Sequence, residues 1–273
     1  MTYTAELAFA VDIVRRAAEP ALALFERPDL PVFDKPDGTI VTQADLDVND
    51  VIVEAIAAAY PDDAILSEEG PDDPDRLSKS RCWIVDPIDG TSHFERGDRD
   101  WSIMLALAVN GQAVAGAVNR PAMRELRLGA VGVNPTMEHD GRTTQLKATP
   151  LAGSSLYIMH SPTAAAIAEV PGGAGANFKV FYHGLMSMTT MLSAGMHAYV
   201  TPRTTGYEWD LAPHAAILGA AGGLVTDFQS RPHTFNSPDP LIRGGVIAAV
   251  SPEAHARVLS LVREARLKPF QGS

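Results

Sequence analysis

The sequence predicts a layered α/β protein, and three features of its hydrophobic pattern support this fold class. Apolar residues recur at helical spacing over residues 4–26 and 43–60. The apolar runs 101–109 and 113–118 then flank Asn110-Gly111, a dipeptide typical of a tight hairpin turn. In the second half of the chain, short strand patterns alternate with helical ones.

The first half begins with these two helices and continues into strands. Thr42 is well placed to cap the helix 43–60, because its hydroxyl can accept a hydrogen bond from the first turn. A short strand at 64–67 ends in two glutamates and a glycine. The polar stretch 71–80 predicts a surface loop. The apolar strand that begins at Cys82 is expected to end in two carboxylates and a Gly-Thr turn.

A third antiparallel strand is predicted at 124–131, and the polar stretch 132–150 is expected to hold the boundary between two halves. Beyond it we predict strands at 156–159, 179–182, 198–200, 224–228 and 246–250, and helices at 163–169, 184–194, 210–221 and 253–266. Residues 1–145 are therefore expected to form an N-terminal α+β half with metal-binding motifs. Residues 146–273 are expected to form a C-terminal α/β half with the substrate-specificity elements.

Composition excludes several classes of function. The chain has 273 residues and a formal net charge of −11, which argues against binding of a nucleic-acid polymer, since that requires a basic face. An anionic substrate remains compatible where metal ions supply positive charge locally. The single cysteine, Cys82, excludes an intrachain disulfide, and no apolar run reaches the ~20 residues that cross a membrane. The amphipathic N-terminus differs from a signal peptide, so we expect a cytoplasmic protein without membrane contact.

Carboxylates stand at the ends of predicted strands and the starts of predicted helices: Asp45, Glu68, Glu69, Asp86, Asp89 and Asp210. Each acid alone has a simpler explanation, such as a helix cap for Asp210 or a solvated strand end for Glu68. Their recurrence at the ends of several elements favours a shared site. Only oxygen ligands are on offer, and no Cys/His cluster has zinc spacing, so the pattern favours Mg²⁺, Mn²⁺ or Ca²⁺. Several carboxylates beside a Gly-Thr turn fit a two-metal phosphomonoester site.

Four motifs in this chain resemble those of the inositol monophosphatase superfamily, in the same order. They are KPDGT with VTQAD at 35–45, LSEEG at 66–70, WIVDPIDGT at 83–91, and WDLA followed by GAAGG at 209–223. The resemblance implies a five-layer αβαβα sandwich and a Mg²⁺-dependent, lithium-sensitive phosphatase, with metals at the seam between the halves. The two acids of the third motif stand three positions apart, whereas haloacid-dehalogenase-like phosphatases use Asp-x-Asp, so no covalent aspartyl-phosphate is expected.

The resemblance also implies a set of metal ligands. Glu68, Asp86 and the backbone carbonyl of Ile88 would hold a first ion. Asp86, Asp89 and Asp210 would hold a second. The family takes two or three Mg²⁺ ions, and Mn²⁺ or Ca²⁺ could occupy the same positions.

Catalytic and substrate-binding roles follow from the same resemblance. The Thr91 hydroxyl, paired with Asp45, would activate the attacking water beside the metal ligand Glu68. Glu69 would lie behind the ligands. The substrate contacts would come from Ile88, Asp89, Gly90, Thr91, Arg203 and Asp210, with the N–H groups of Gly90 and Thr91 on the phosphate.

Substrate choice is expected to depend on the second half of the chain. Pro202-Arg203 resembles the 3′(2′),5′-bisphosphate nucleotidase branch, in which Arg203 would meet a second phosphate. A surface salt bridge is the alternative role for Arg203. The segment after Gly184 departs from that branch, because it lacks the lysine that nucleotidases often carry.

The leading hypothesis is therefore a phosphatase acting on 3′-phosphoadenosine 5′-phosphate. The alternatives are inositol monophosphate or another small sugar or amino-alcohol phosphate as substrate and, in a different class, a non-catalytic protein that binds phosphate ligands. Both a monomer and a homodimer are compatible with the sequence.

Overall fold

The computed structural model describes residues 2–27, 29–36, 38–151, 156–180, 187–202 and 206–269. Its α-helices are α1 (Thr4–Leu24), α2 (Gln43–Ala59), α3 (Thr91–Glu95), α4 (Ser187–Ser193), α5 (Glu208–Ala220) and α6 (Pro252–Glu264). The first nine strands are β1 (Val32–Asp34), β2 (Ile40–Thr42), β3 (Ala64–Ser67), β4 (Arg81–Asp89), β5 (Ser102–Val109), β6 (Gln112–Arg120), β7 (Glu125–Ala130), β8 (Val133–His139) and β9 (Arg142–Gln145). The remaining strands are β10 (Leu156–His160), β11 (Ala176–Val180), β12 (Ala198–Thr201), β13 (Leu224–Thr226) and β14 (Val246–Ala249). Among these residues, no helix is both long enough and apolar enough to cross a bilayer.

The elements stack in five layers, as predicted. A seven-stranded sheet has the order β3-β4-β5-β6-β7-β8-β9, and a five-stranded sheet has the order β11-β10-β12-β14-β13. Helices α1 and α2 pack on the outer face of the larger sheet. Helix α5, with α4 beside it, lies between the two sheets, and α6 covers the far face of the smaller sheet. The order is therefore αβαβα.

Successive side chains of the central strands point to opposite faces of the sheet, and this divides the interior into two cores. On β4, Trp83 and Val85 face α1 and α2, whereas Cys82 and Ile84 face α5 and the smaller sheet. All four side chains are almost fully buried. A strand covered on both faces must be apolar at every position, which explains the continuous apolar run in the sequence.

The end of β4 brings acids from two strands to one edge of the larger sheet. Strand β3 runs parallel to β4, and the Glu68 backbone N–H donates to the Val85 carbonyl at 3.2 Å. The register of β4 on β5 shifts between Asp86 and Asp89. This bulge lets two residues that are three positions apart present carboxylates at the same edge. The strand thus continues through Asp89, where the sequence predicted a turn.

Helix α5 approaches the larger sheet very closely. A Cβ added to Gly116 of β6 would lie 2.5 Å from the Pro213 carbonyl oxygen of α5. Only glycine leaves room for that helix backbone. Since Asp210 is in the first turn of α5, this contact also determines how near its carboxylate lies to the acids of β4.

Two hairpins of the structure were not predicted from the sequence. The stretch 132–150 contains β8 and β9, and the loop before α2 contains β1 and β2. Every residue of β1 and β9 is exposed, so these strands lack the apolar alternation that identifies a half-buried strand. The predicted helix 163–169 is a 3₁₀ turn, Pro162–Ala168. Residues 181–182 and 184–186 of two other predicted elements lie outside the described residues.

Replacing Gly116 by alanine is expected to destabilise the protein by at least about 2 kcal/mol, because the new methyl group overlaps backbone that cannot rotate away. The free energy of unfolding from urea denaturation measures this loss. The control is Gly219→Ala on α5, the helix that Gly116 contacts, where an added Cβ meets nothing within 4 Å. There the better helix propensity of alanine should add roughly 0.5–1 kcal/mol. Equal free energies for the two variants would contradict the close approach.

Candidate metal centre

Three aspartates from two elements form the centre of the site. Asp86, Asp89 and Asp210 each place a carboxylate oxygen within 4.8 Å of the other two. Asp86 is buried, and the other two are half-buried. Strand β4 supplies the first two and helix α5 the third. The structure thus brings together three of the residues that the sequence predicted as metal ligands.

The environment of Asp86 tests whether a cation fits here. Within the described part of the chain, neither of its carboxylate oxygens has a hydrogen-bond partner, although both are buried. A buried carboxylate without a partner is strongly destabilising. A divalent cation among the three carboxylates would remove that penalty, and an all-oxygen donor set suits Mg²⁺. The residues present therefore fit the metal that the sequence implied.

The acids raise one another's pKa values. Burial raises the pKa of Asp89 to about 7, and the charges of Glu68 and Asp100 act in the same direction. Burial, and then the neighbouring carboxylates, also hold the pKa values of Asp86 and Asp210 well above their ordinary range. Glu68 contributes to all three shifts, so it belongs to the same electrostatic cluster. Without a cation, these groups cannot all ionise at neutral pH.

Glu68 and Glu69 are both bound by Lys35, a residue for which the sequence analysis predicted no role. Lys35 donates from Nζ to Glu68 Oε1 at 2.9 Å, and it also bonds Glu69. Burial alone would lower the pKa of Lys35, but the two carboxylates outweigh it and raise that pKa. Burial raises the pKa of Glu69 to about 7. Glu68 is outside the group formed by the three aspartates, and its Oε1 faces the lysine instead.

The predicted pair of Thr91 and Asp45 is in hydrogen-bond contact. Thr91 Oγ1 lies 3.1 Å from Asp45 Oδ1 and 3.1 Å from the Ile88 carbonyl oxygen. The other oxygen of Asp45 accepts from the Thr42 backbone N–H at 2.8 Å and from its hydroxyl at 2.6 Å. Thr42 is the predicted cap of α2, and the cap is confirmed. One carboxylate thus closes the capping box and also orients the Thr91 hydroxyl. Burial raises the pKa of Asp45, which makes its carboxylate a better proton acceptor.

Gly90 connects the aspartates of β4 to Thr91. Its φ of +90° lies in the left-handed region, and an added Cβ would meet the Asp100 carbonyl oxygen at 3.0 Å. Glycine is the residue that adopts this geometry without strain. The turn leads directly into α3, so the N–H groups of Gly90 and Thr91 follow Asp89, the last aspartate of β4.

Of the remaining predicted site residues, Ile88 is buried on β4 with its carbonyl beside Thr91. Arg203 lies outside the described residues. Sequence reasoning missed the role of Lys35, although this residue opens the first motif. The available signal was that Lys35 is a cationic residue in a glycine-containing motif, in a chain whose other motifs are rich in acids.

A five-layer αβαβα sandwich with three clustered aspartates at the seam of its sheets, beside a Thr–Asp pair, is the arrangement of a metal-dependent phosphoric monoester hydrolase. The chain belongs to the inositol monophosphatase family, whose model matches residues 3–267. The family is Mg²⁺-dependent, and its acidic cluster is present here. The phosphatase class that the sequence predicted is confirmed.

Several known proteins resemble this chain along most of its length. A histidinol-phosphatase of Chlorobaculum parvum is 29% identical over 237 residues, which cover 84% of this chain and 88% of the relative. A 3′(2′),5′-bisphosphate nucleotidase CysQ of Aggregatibacter actinomycetemcomitans is 27% identical over 249 residues, covering 88% and 91%. The crystal structure of CysQ from Bacteroides thetaiotaomicron superposes with a TM-score of 0.74 at 23% identity, covering 90% of this chain and 97% of that one.

The metal-free protein is expected to lose stability as pH rises from about 4 to about 7. Acids whose pKa is raised by folding bind more protons in the folded than in the unfolded state throughout that window, so the free energy of unfolding falls with pH. Thermal unfolding in EDTA should show a drop of roughly 5–10 °C across the window, and saturating Mg²⁺ should abolish it. Asp89→Asn should reduce the dependence of the melting temperature on pH in EDTA. The same slope with and without Mg²⁺ would contradict the cluster.

Removing the lysine should destabilise the metal-free protein more than the Mg²⁺-loaded one. Lys35→Met leaves Glu68 and Glu69 without their cation, and we expect a loss of roughly 3–6 °C in melting temperature in EDTA. In Mg²⁺ the loss should be smaller, because metal ions then neutralise Glu68. Lys79→Met, at an exposed position, is the control for loss of one positive charge. An equal loss in both conditions would contradict the role given to Lys35.

Proposed function

We propose that this protein is a Mg²⁺-dependent phosphomonoesterase for a small phosphate ester, with 3′-phosphoadenosine 5′-phosphate as leading substrate. The observation that carries the proposal is the buried Asp86 carboxylate, which has no hydrogen-bond partner among the described residues and lies within 4.8 Å of carboxylate oxygens of Asp89 and Asp210. A protein that only bound phosphate would gain nothing from such a cluster beside the Thr91–Asp45 pair. We propose that the site takes two or three Mg²⁺ ions.

The ligands would be Glu68, Asp86 and the Ile88 carbonyl for one ion, and Asp86, Asp89 and Asp210 for another. When bound, the ions would polarise the phosphate and make water a stronger nucleophile. Glu68 would exchange its bond to Lys35 for the ion. The N–H groups of Gly90 and Thr91 would orient the phosphate, and the transfer would be a direct in-line displacement.

The proton of the attacking water would leave through Thr91 and Asp45. Thr91 Oγ1 lies within reach of Asp45 Oδ1 and of the Ile88 carbonyl, at 3.1 Å from each. Its oxygen would accept the water proton while its own proton passes to Asp45. The raised pKa of Asp45, caused by burial, favours that transfer. Thr42 holds the second carboxylate oxygen, so Asp45 keeps its orientation throughout.

Two relatives of known activity support two substrates. The bisphosphate nucleotidase CysQ relative and Arg203 favour a nucleotide that carries two phosphates. The histidinol-phosphatase relative makes histidinol phosphate the second candidate. Both substrates are phosphate esters of molecules that contain a planar, nitrogen-containing ring. Inositol monophosphate and other small sugar phosphates are the further alternative.

The remaining expectations stand as part of the proposal. We propose domains at 1–145 and 146–273, since the larger sheet ends with β9 at Gln145 and the smaller one begins with β10 at Leu156. We further propose that the enzyme acts in the cytoplasm on a free small molecule, as a monomer or homodimer.

Phosphate release tests the proposal. With Mg²⁺ present, 3′-phosphoadenosine 5′-phosphate should give the highest kcat/KM in a panel with histidinol phosphate, inositol 1-phosphate and fructose 1,6-bisphosphate, and a chelator should stop release. Histidinol phosphate as the best substrate would select the second candidate. Release from none of the four would contradict the function.

Substitutions test the assigned roles. Asp89→Asn and Asp210→Asn should abolish turnover while the circular dichroism spectrum stays unchanged, because each removes a ligand but keeps the side-chain volume. Thr91→Ala should lower kcat about 10²- to 10⁴-fold, the usual cost of losing a positioned proton acceptor. Asp12→Asn, an exposed aspartate on α1, is the control. Near-normal turnover of Asp89→Asn would refute the ligand assignment.

A further inference from the structure

A buried ion network lies under the first turn of α5. Arg76 and Glu208 are 2% and 1% exposed, and fully buried charges are rare in proteins unless their hydrogen bonds are satisfied. Arg76 belongs to a 3₁₀ turn, Pro74–Ser78, within the stretch that the sequence predicted as a surface loop. Neither residue belongs to the predicted site.

The guanidinium of Arg76 holds a loop from the second half of the chain. Its Nη1 donates to the Asn236 side-chain oxygen at 2.8 Å and to the Ser237 carbonyl at 2.9 Å. The Asn236 side-chain amide returns a bond to the Arg76 carbonyl at 2.9 Å. Asp72 accepts from the Arg76 Nε at 2.6 Å and balances its charge. Asn236 has a φ of +62°, a left-handed conformation that asparagine tolerates.

The same loop holds the start of α5. The backbone N–H groups of Asn236 and Ser237 both donate to the Glu208 carboxylate, the second at 2.8 Å. The Glu208 backbone N–H donates to the Pro240 carbonyl at 2.8 Å. Two residues further along, Asp210 accepts from the Tyr207 backbone N–H and joins Asp86 and Asp89. The first turn of α5 is therefore tied on one side to this loop and carries a candidate metal ligand on the other.

We propose that Arg76 is a positioning residue for Asp210. It stands on the connection between β3 and β4, the two strands that deliver Glu68, Asp86 and Asp89. Through Asn236, Ser237 and Glu208 it fixes the helix that delivers the remaining aspartate. The network thereby sets the distance between the acids delivered by β3 and β4 and the aspartate delivered by α5. This inference rests on the proposed Mg²⁺ site, and its first effect is on metal affinity.

Mg²⁺ binding measured by titration calorimetry tests the role of Arg76. Arg76→Met keeps much of the apolar volume but removes the fork of hydrogen bonds, and it should weaken Mg²⁺ binding by about 10-fold or more, as loss of a partner behind a metal ligand usually does. High Mg²⁺ should restore kcat, and KM for the phosphate ester should change less than twofold. Asn236→Gly keeps the left-handed backbone and removes only the side-chain bonds, so it tests the network should Arg76→Met fail to fold.

Arg127→Met is the matched control. Arg127 is also a buried arginine, and it bonds Glu125 and Thr190 instead of the loop that holds α5. It should lower the melting temperature without weakening Mg²⁺ binding. Combining Arg76→Met with Asn236→Gly should add little to either single loss of affinity, because both break the same path.

Two results would overturn the inference. One is Mg²⁺ affinity within twofold of the parent for both Arg76→Met and Asn236→Gly. The other is an equal loss of affinity in Arg127→Met, which would indicate general destabilisation. A parent protein that binds no Mg²⁺ would instead remove the metal site itself, so failure of this inference and failure of the proposed function are distinguishable.

Discussion

The repulsion among three neighbouring carboxylates, one buried and two half-buried, is the constraint on which the rest of this structure depends. The bulge of β4 and the first turn of α5 force Asp86, Asp89 and Asp210 within a few ångströms of one another. In a protein interior, neighbouring negative charges are stable only when protonated or neutralised by a cation. The raised pKa values caused by burial describe the first solution, and a divalent ion supplies the second. Because a single arrangement sets both the stability of the seam and its chemistry, the two properties respond to the same ions.

The helix caps of this protein serve two purposes. Asp45 closes the capping box of α2 with one oxygen and contacts Thr91 with the other. Asp210 accepts from the Tyr207 backbone N–H at the start of α5 while it faces the aspartates of β4. A cap fixes the carboxylate at low entropic cost, because the helix backbone already holds its position. The structural and functional interpretations of such an acid are therefore compatible, and each supports the other.

Two cationic side chains lie beside the seam. Lys35 bonds Glu68 and Glu69 on one side, and Arg76 lies with Glu208 behind α5 on the other. The two relatives at 29% and 27% identity match 84% and 88% of this chain. Loops outside the sheets can change with little effect on the core.

The sequence by itself determined the layered α/β class, the apolar strand β4, the cap at Thr42 and the identity of the acids, because each of these depends on a local period or on a short motif. Tertiary structure decided what local patterns do not carry. The exposed strands β1 and β9 lack alternation, so only pairing reveals them. The contacts of Lys35 with Glu68 and of Arg76 with Asn236 join residues 33 and 160 positions apart. Residues so far apart in the sequence come into contact only when the sheets and α5 pack. That packing selects which of many charged side chains meet.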